Sequence, residues 1–377
     1  MAKELKHIPN IRFPEFKNSG EWNKIALEDI LDYEQPTKYI VESDNYKEEG
    51  TPVLTANKSI ILGYTKELHN IYETLPTIIF DDFTADSKYI DFPFKIKSSA
   101  IKLLTVKCER EDNLRFIFET IQLIPFEAKE HKRHYISEFQ KQYIYIPQNP
   151  AEQKKIADCL SSLDNYINAT QEKIELLQSY KKGLMQHLFP ILGENMPKLR
   201  FPKFKKSKGW KIVKLKTICH ITNGKANTQD HHKNGKYPLF DRSAITKASD
   251  EYIFDAEAVI IPGEGVRFIP KYYNGKFNLH QRAYALKDFT CNALFVYYIM
   301  QQKESLLAQK AVQSTVLSLR LPILQEFPIE LPTDIDEQKE IAECLASIDD
   351  LIDKTKQKLV MLQNHKRGLM QQLFPAV

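Results

Sequence analysis

The chain is written twice, and that repeat constrains the fold more than any composition figure, because one architecture must serve both copies. PNIRFPEFKNSGEWNKIALEDI from Pro9 aligns at constant shift with PKLRFPKFKKSKGWKIVKLKTI from Pro197, with about 10 of 22 positions identical, Trp22 and Trp210 among them. PQNPAEQKKIADCLSSLDNYINATQEKIELLQSYKKGLMQHLFP from Pro147 aligns without a gap to PTDIDEQKEIAECLASIDDLIDKTKQKLVMLQNHKRGLMQQLFP from Pro332, with about 23 of 44 identical. The halves run from about 9 to 190 and from 197 to 375, each an opening segment, a variable block and a long closing segment. A length of 377 residues suits two or three domains rather than one core.

The closing segments read as helices. Asn149 caps the first, with Pro150 at the first helical position and Glu152 at the third, and Asp334 with Glu337 repeats the arrangement. Apolar residues then alternate at spacings of four and three: Ile156, Leu160, Leu163, Ile167, Ile174, Leu177, Leu184 and Leu188, matched by Ile341, Leu345, Ile348, Ile352, Leu359, Leu362, Leu369 and Leu373. Polar residues interrupt both seams at equivalent places, Thr170 and Lys181 in one, Thr355 and Lys366 in the other. Such positions cost stability and fix register. Both segments stop at Phe-Pro, after ~38 residues that would make a rod of roughly 55 Å. A seam this narrow needs a partner, and the equivalent helix of the other half predicts an intramolecular coiled coil.

The variable blocks, about 20–146 and 211–331, are α/β in character. Strand-like runs begin at Thr51, Thr77, Ser99, Lys141, Tyr237, Glu257 and Arg282, and helical runs at Leu114 and Ala293. PVLTANKS aligns with PLFDRSAI, TIIFDDFTAD with VIIPGEGVRF, and SSAIKLL with QRAYAL, so the scaffold strands correspond while the residues after them differ.

Hydrophobic residues are 42% and charged residues 27%, which excludes collagenous and largely disordered classes. No apolar run approaches the ~20 residues of a bilayer span, and the N-terminus lacks a signal-peptide pattern, so a cytoplasmic location is expected. Five scattered cysteines with no CxxC pair argue for free thiols and against a zinc site. His131 and His134 have no third ligand. A net charge of +4 decides nothing by itself. No P-loop, HExxH or dinucleotide-binding pattern occurs. The nuclease-like Glu-x-Lys at Glu152 and Glu337 is better explained by first-turn capping.

Two variable blocks, each closed by a P-x(4)-EQ-K-x-IA-x-CL-x-S-x-D helix ending GLMQ-x-LFP, resemble the specificity subunit of type I restriction-modification enzymes. The RFP-x-F segments, YPLFDRS at Tyr237 and GKFNLHQRAYAL at Gly275 carry the same resemblance, which covers nearly the whole chain. It implies two α/β target-recognition domains, 1–146 and 196–331, separated by conserved antiparallel helices, 147–195 and 332–377. Each domain would read half of a bipartite site in double-stranded DNA. By the same resemblance the chain is non-catalytic. Two methyltransferase subunits and restriction-translocase subunits would supply adenine methylation and ATP-driven cleavage, and S-adenosylmethionine, ATP and Mg would bind there. A stand-alone DNA-binding regulator and a coiled-coil interaction scaffold are the other readings.

Reading bases takes donors and acceptors at base edges with cations at phosphates. Those residue types follow the strands at Thr55, Asn57, Lys58, Asp82, Thr84, Lys88 and Tyr89 in the first block. In the second they are Asp241, Arg242, Ser243, Arg267, Lys271, His280, Gln281 and Arg282. Arg242 and Arg282 suit bidentate contact with guanine and Gln281 with adenine, whereas Glu264 between two glycines reads as structural. The basic stretch from Pro197 suits phosphate, a linker or a protein partner equally.

Overall fold

The computed structural model describes residues 7–55, 60–108, 111–128, 133–191, 193–313 and 316–375. Two compact units result, Met1–Thr170 with Lys358–Val377, and Gln171–Gln357. Their boundaries fall within the two long helices, so each unit holds one variable block, the start of its own closing helix and the end of the other one.

In unit 1 the elements are β1 (Asn23–Ala26), α1 (Leu27–Ile30), β2 (Leu31–Glu34), β3 (Thr51–Leu54), β4 (Ile61–Thr65), β5 (Thr77–Asp81), β6 (Ser87–Ile90), β7 (Lys95–Ile96), β8 (Ile101–Val106), α2 (Leu114–Ile121) and β9 (Tyr143–Ile146), followed by α3 (Pro150–Leu188). Unit 2 continues with β10 (Lys211–Lys214), β11 (His220–Asn223), β12 (Tyr237–Phe240), β13 (Lys247–Ser249), β14 (Phe254–Pro262), β15 (Lys271–Leu279), β16 (Ala283–Lys287), α4 (Ala293–Gln302), α5 (Glu304–Lys310), α6 (Leu321–Gln325) and β17 (Pro328–Leu331), before α7 (Ile335–Leu373). Among the described residues no helix is long and apolar enough to cross a membrane.

Unit 2 contains a six-stranded sheet ordered β11-β16-β14-β15-β12-β13, and unit 1 divides the same path into β2-β8-β5-β6 and β4-β3-β7. The reason is local. In unit 2 one nine-residue strand, β15, pairs antiparallel with β14 and parallel with β12. In unit 1 the two tasks fall to β6 and β7, separated by a segment containing Pro93, which has no N–H for a ladder. The helical run from Ala293 also breaks, at Lys303, whose buried ammonium turns in to Glu330 at 2.7 Å.

Register corrects the sequence alignment of two strands. Ile78 and Phe80 share a core with α2, as Val259 and Ile261 do with α4, so Asp82 corresponds to Gly263 and not to Glu264. Both donate their N–H at 2.8 Å, Asp82 to the Ala100 carbonyl and Gly263 to that of Arg282. Thus the counterpart of Arg282 is Ala100 rather than Ser99. A slip of one residue turns a strand's side chains to the opposite face, so the correction changes which residues can point together. The alignment of Thr55 with Asp241 stands, since Val53 pairs with Lys95 as Leu239 pairs with Asn278.

The repeated motifs hold each unit together. Arg12 of RFP-x-F donates two hydrogen bonds to Glu152, 2.6 and 2.7 Å, and Arg200 does the same to Glu337 at the same distances. The glutamates therefore do not close capping boxes as expected; they are buried salt-bridge partners of the opening segments. Gln153 and Gln338, next in sequence, each accept at 2.9 Å from the backbone N–H of an N-cap asparagine, Asn113 of α2 and Asn292 of α4. Trp22 packs on Phe116 and Phe374, and Trp210 on Phe295 and Phe189.

Within each unit the segments of α3 and α7 run antiparallel. In unit 1, Ile156 and Leu160 share a core with Leu373 and Phe374, and further along Asp164 meets Lys366 at 2.7 Å. In unit 2, Met185 and Leu188 join Ile341 and Leu345, and Lys181 meets Asp349 at 2.7 Å. Every seam position from Ile156 to Leu188 and from Ile341 to Leu373 is buried or half-buried. The two seam lysines are thus answered by aspartates, and the Thr170 and Thr355 hydroxyls donate to carbonyls of their own helices, Tyr166 and Leu351.

Candidate nucleic-acid interface

Three strand ends converge in unit 2. Phe240 and Leu279 lie side by side in the parallel pair, so Asp241–Ser243 and His280–Arg282 leave the sheet together, and the His280 N–H donates to the Phe240 carbonyl at 2.9 Å. β14 delivers Glu264 beside them. The segment before β12 closes the side, since the Ala226 N–H donates to Leu279 and the Gln281 N–H to Ala226. That approach requires glycine at 224, where a Cβ would stand 1.9 Å from the Leu279 carbonyl oxygen. The result is an open cleft of about 920 Å³ lined by Asn227, Gln229, Asp241, Arg242, Ser243, Lys247, Glu264, His280, Gln281 and Arg282. Six of these ten were expected from the sequence. Asn227, Gln229 and Lys247 were not: the first two lie at a 3-10 turn carried in beside the Ala226–His280 bridge, and Lys247 arrives through the pairing of β13 with β12.

Most of the charges are already paired. Asp241 accepts from the Ser243 N–H at 2.8 Å and from Lys247 at 2.7 Å. Burial pushes its carboxyl up, but these hydrogen bonds outweigh burial and hold it below the usual range. Arg282 donates through Nη1 to both oxygens of Glu264, at 3.1 and 2.8 Å. Gln281 donates to Asn227 Oδ1 at 2.7 Å. His280 accepts the Arg282 N–H on Nδ1 at 3.1 Å, and burial lowers its pKa, so a neutral ring is left with an Nε2–H to donate. Arg242 is exposed and makes no ion pair among the described residues.

Two expected residues of unit 2 lie elsewhere. Arg267 pairs with Glu304 at 3.0 Å, outside the cleft lining. Lys271 stands in β15 and donates to the Ser243 carbonyl at 2.8 Å, with burial lowering its pKa; it braces the loop from beneath.

Unit 1 does not gather its candidates in the same way. Thr55 follows β3 as Asp241 follows β12, and Asn57 and Lys58 lie outside the described residues. Asp82 is corrected: only 1% exposed, it pairs with equally buried Lys102 at 2.9 Å and accepts from the Tyr135 N–H. It is an internal bracket with no route to a base edge. Thr84 belongs to an exposed turn on Asp81. Lys88 is exposed, whereas Tyr89 lies beneath the Arg115 guanidinium and lines a separate cleft with Asp91, Asp112 and Asp158, whose acids do not suit phosphate. His131 and Lys132 lie outside the described residues, and the buried His134 meets Glu138 at 3.4 Å. Four of the nine basic residues in the stretch from Pro197 to Lys216 are answered by acids: Arg200 by Glu337, Lys203 by Glu340 at 2.6 Å, Lys214 and Lys216 by Glu326.

A repeated α/β frame, whose strand ends carry polar side chains suited to base edges in one copy, defines a two-domain recognition protein. Sequence comparison gives the family: the type I restriction modification DNA specificity domain matches twice, over residues 19–179 and 207–364. The chain belongs to that family. It is 30% identical over 379 residues to the type I restriction enzyme EcoR124I/EcoR124II specificity subunit of Escherichia coli, covering 90% of this chain and 89% of the relative. It is also 25% identical over 424 residues to the MjaVIII specificity subunit of Methanocaldococcus jannaschii, covering 99% and 95%. The crystal structure of a type I restriction-modification S subunit from M. genitalium superposes with a TM-score of 0.71 at 16% identity, covering 98% of this chain and 100% of that one, a likeness of fold.

Proposed function

We propose that each unit reads its own half of a bipartite DNA site, on behalf of two methyltransferase subunits and of restriction-translocase subunits that carry S-adenosylmethionine, ATP and Mg. This chain then contributes specificity and spacing, and works in the cytoplasm. The observation that supports the reading most is the contrast between a repeated frame and unrepeated strand ends. Arg12–Glu152 and Arg200–Glu337 match in both distances, while the position of Arg282 is Ala100 in unit 1. Repeated anchors suit two equivalent partner subunits, and divergent strand ends suit two different half-sites.

In unit 2 the cleft residues Arg242, Ser243, Lys247, His280, Gln281 and Arg282 face the DNA. In unit 1 Thr55, Asn57, Lys58, Thr84 and Lys88 remain the candidates. Coexpression with a methyltransferase of the same system, followed by single-molecule sequencing of methylated adenines, tests this. One bipartite motif is expected, and exchanging residues 211–331 for the block of a relative changes only one half of it. A change in both halves, or one methyltransferase copy in the active complex, would refute the scheme.

A further inference from the structure

A carboxylate at the mouth of a DNA-reading cleft opposes phosphate, yet Glu264 is built in firmly. The Gly263 N–H donates to the Arg282 carbonyl and the Leu319 N–H to the Gly263 carbonyl, both at 2.8 Å, and Glu264 itself bridges to Ser318. A Cβ at Gly263 would stand 2.5 Å from the Arg282 carbonyl oxygen, so only glycine permits this approach. Side-chain exposure is 22% for Glu264 and 62% for Arg282. The carboxylate engages Nη1 alone, at 3.1 and 2.8 Å. Nε and Nη2 make no hydrogen bond among the described residues, and these two donors form the fork edge that fits guanine N7 and O6.

We infer that Glu264 is a positioning residue that makes Arg282 the reader of one guanine in the half-site of unit 2; this rests on the DNA-reading function proposed above. Two effects act together. A guanidinium already held on a carboxylate loses less rotamer freedom when it meets a base. Its charge is also largely neutralised, so it adds little to sequence-independent attraction by phosphates and more to discrimination. The pair is confined to unit 2, because register places Ala100 at the position of Arg282 and Phe83 at that of Glu264.

The test uses the full chain assembled with its methyltransferase subunits. Methylated motifs are sequenced, and duplexes varied at each base pair of the half-site compete for binding at several salt concentrations. Arg282→Ala and Arg282→Lys should each lose about 5- to 150-fold discrimination at one G·C pair. Glu264→Gln should lose about 2- to 10-fold at the same pair. It should also bind unrelated duplex more tightly and steepen the log–log salt slope by about 0.9, because one cation is released to phosphate. Glu264→Asp, which keeps the charge, should leave the slope unchanged. If Glu264→Gln relaxed no base pair, or a different one from Arg282→Ala, the inference would be overturned. It would fall equally if the wild-type half-site of unit 2 held no G·C pair. A wild-type assembly with no bipartite motif at all would instead overturn the DNA-reading function.

Discussion

Glu337→Ala should unfold unit 2 more readily than the equivalent Glu152→Ala unfolds unit 1, although both remove the same salt bridge. In each unit the pair is buried, with side-chain exposures of 6% and 1% for Arg200 and Glu337 and of 7% and 1% for Arg12 and Glu152. Removing one partner of a buried pair leaves an uncompensated charge and costs about 3–5 kcal/mol. Arg200 keeps the Ser207 and Lys208 carbonyls, at 2.8 and 3.0 Å, and Arg12 keeps those of Ser19 and Gly20, at 2.7 and 3.0 Å, so that residual support is alike. The indoles differ. Trp210 Nε1 donates to Glu337 at 3.3 Å, whereas Trp22 Nε1 has no partner among the described residues. Only Glu337→Ala orphans a buried N–H, which adds about 1–3 kcal/mol. Urea unfolding of the full chain, with fluorescence from the two tryptophans separated by Trp22→Phe and Trp210→Phe backgrounds, measures both losses. The double replacement Arg200→Met with Glu337→Met should recover the part of the deficit due to the uncompensated charge, but not the part due to the orphaned Trp210 N–H. A loss under about 1 kcal/mol for Glu337→Ala, or a larger loss for Glu152→Ala, would refute the reasoning.

Asp82→Ala should destabilise unit 1 by about 3–5 kcal/mol, read as a lowered urea midpoint, since Lys102 is left charged and buried; base preference at sites still bound should not change. Arg242→Ala should flatten the salt dependence of DNA binding by about one in log–log slope, whereas Arg267→Ala, already paired with Glu304, should leave it nearly unchanged. Ultraviolet titration of the tyrosines should show a fraction that resists ionisation, because burial pushes Tyr39 and Tyr297 up to about 12. Raised folded-state values mean that their stabilisation is complete below about 10, the unfolded value, and is lost progressively as pH rises towards 12. If all tyrosines ionised together near 10 while the chain remained folded, that assignment would fail.

Much was legible in the residues alone because repetition and periodicity are one-dimensional signals. The doubled RFP-x-F and EQ-K motifs disclosed two equivalent halves, and the spacings of four and three marked both helices through to Leu188 and Leu373. The block 237–243 and the run 280–282 also identified six of the residues that line the cleft. The motifs did not disclose their use: nothing in the order of residues joins Arg12 to Glu152, 140 positions away, and first-turn capping was the local alternative.

Register and pairing were decided by the tertiary structure. Asp82 and Glu264 occupy similar places in two aligned strings, yet one is buried on Lys102 and the other stands at the rim of a cleft holding Arg282. A strand's side chains alternate between faces, so a single-residue shift that an alignment barely registers exchanges core for surface. Asn227 and Lys247 reach the site for a related reason: they are carried there by hydrogen bonds between backbone groups, which every residue can accept and every residue except proline can donate, and which leave little mark on residue type. The sequence by itself determined that the chain has two copies of one frame, because the same side chains meet the same local demands twice. Only folding decided which charges cancel and which remain unpaired, because ion pairing depends on distances between strand ends that are far apart along the chain.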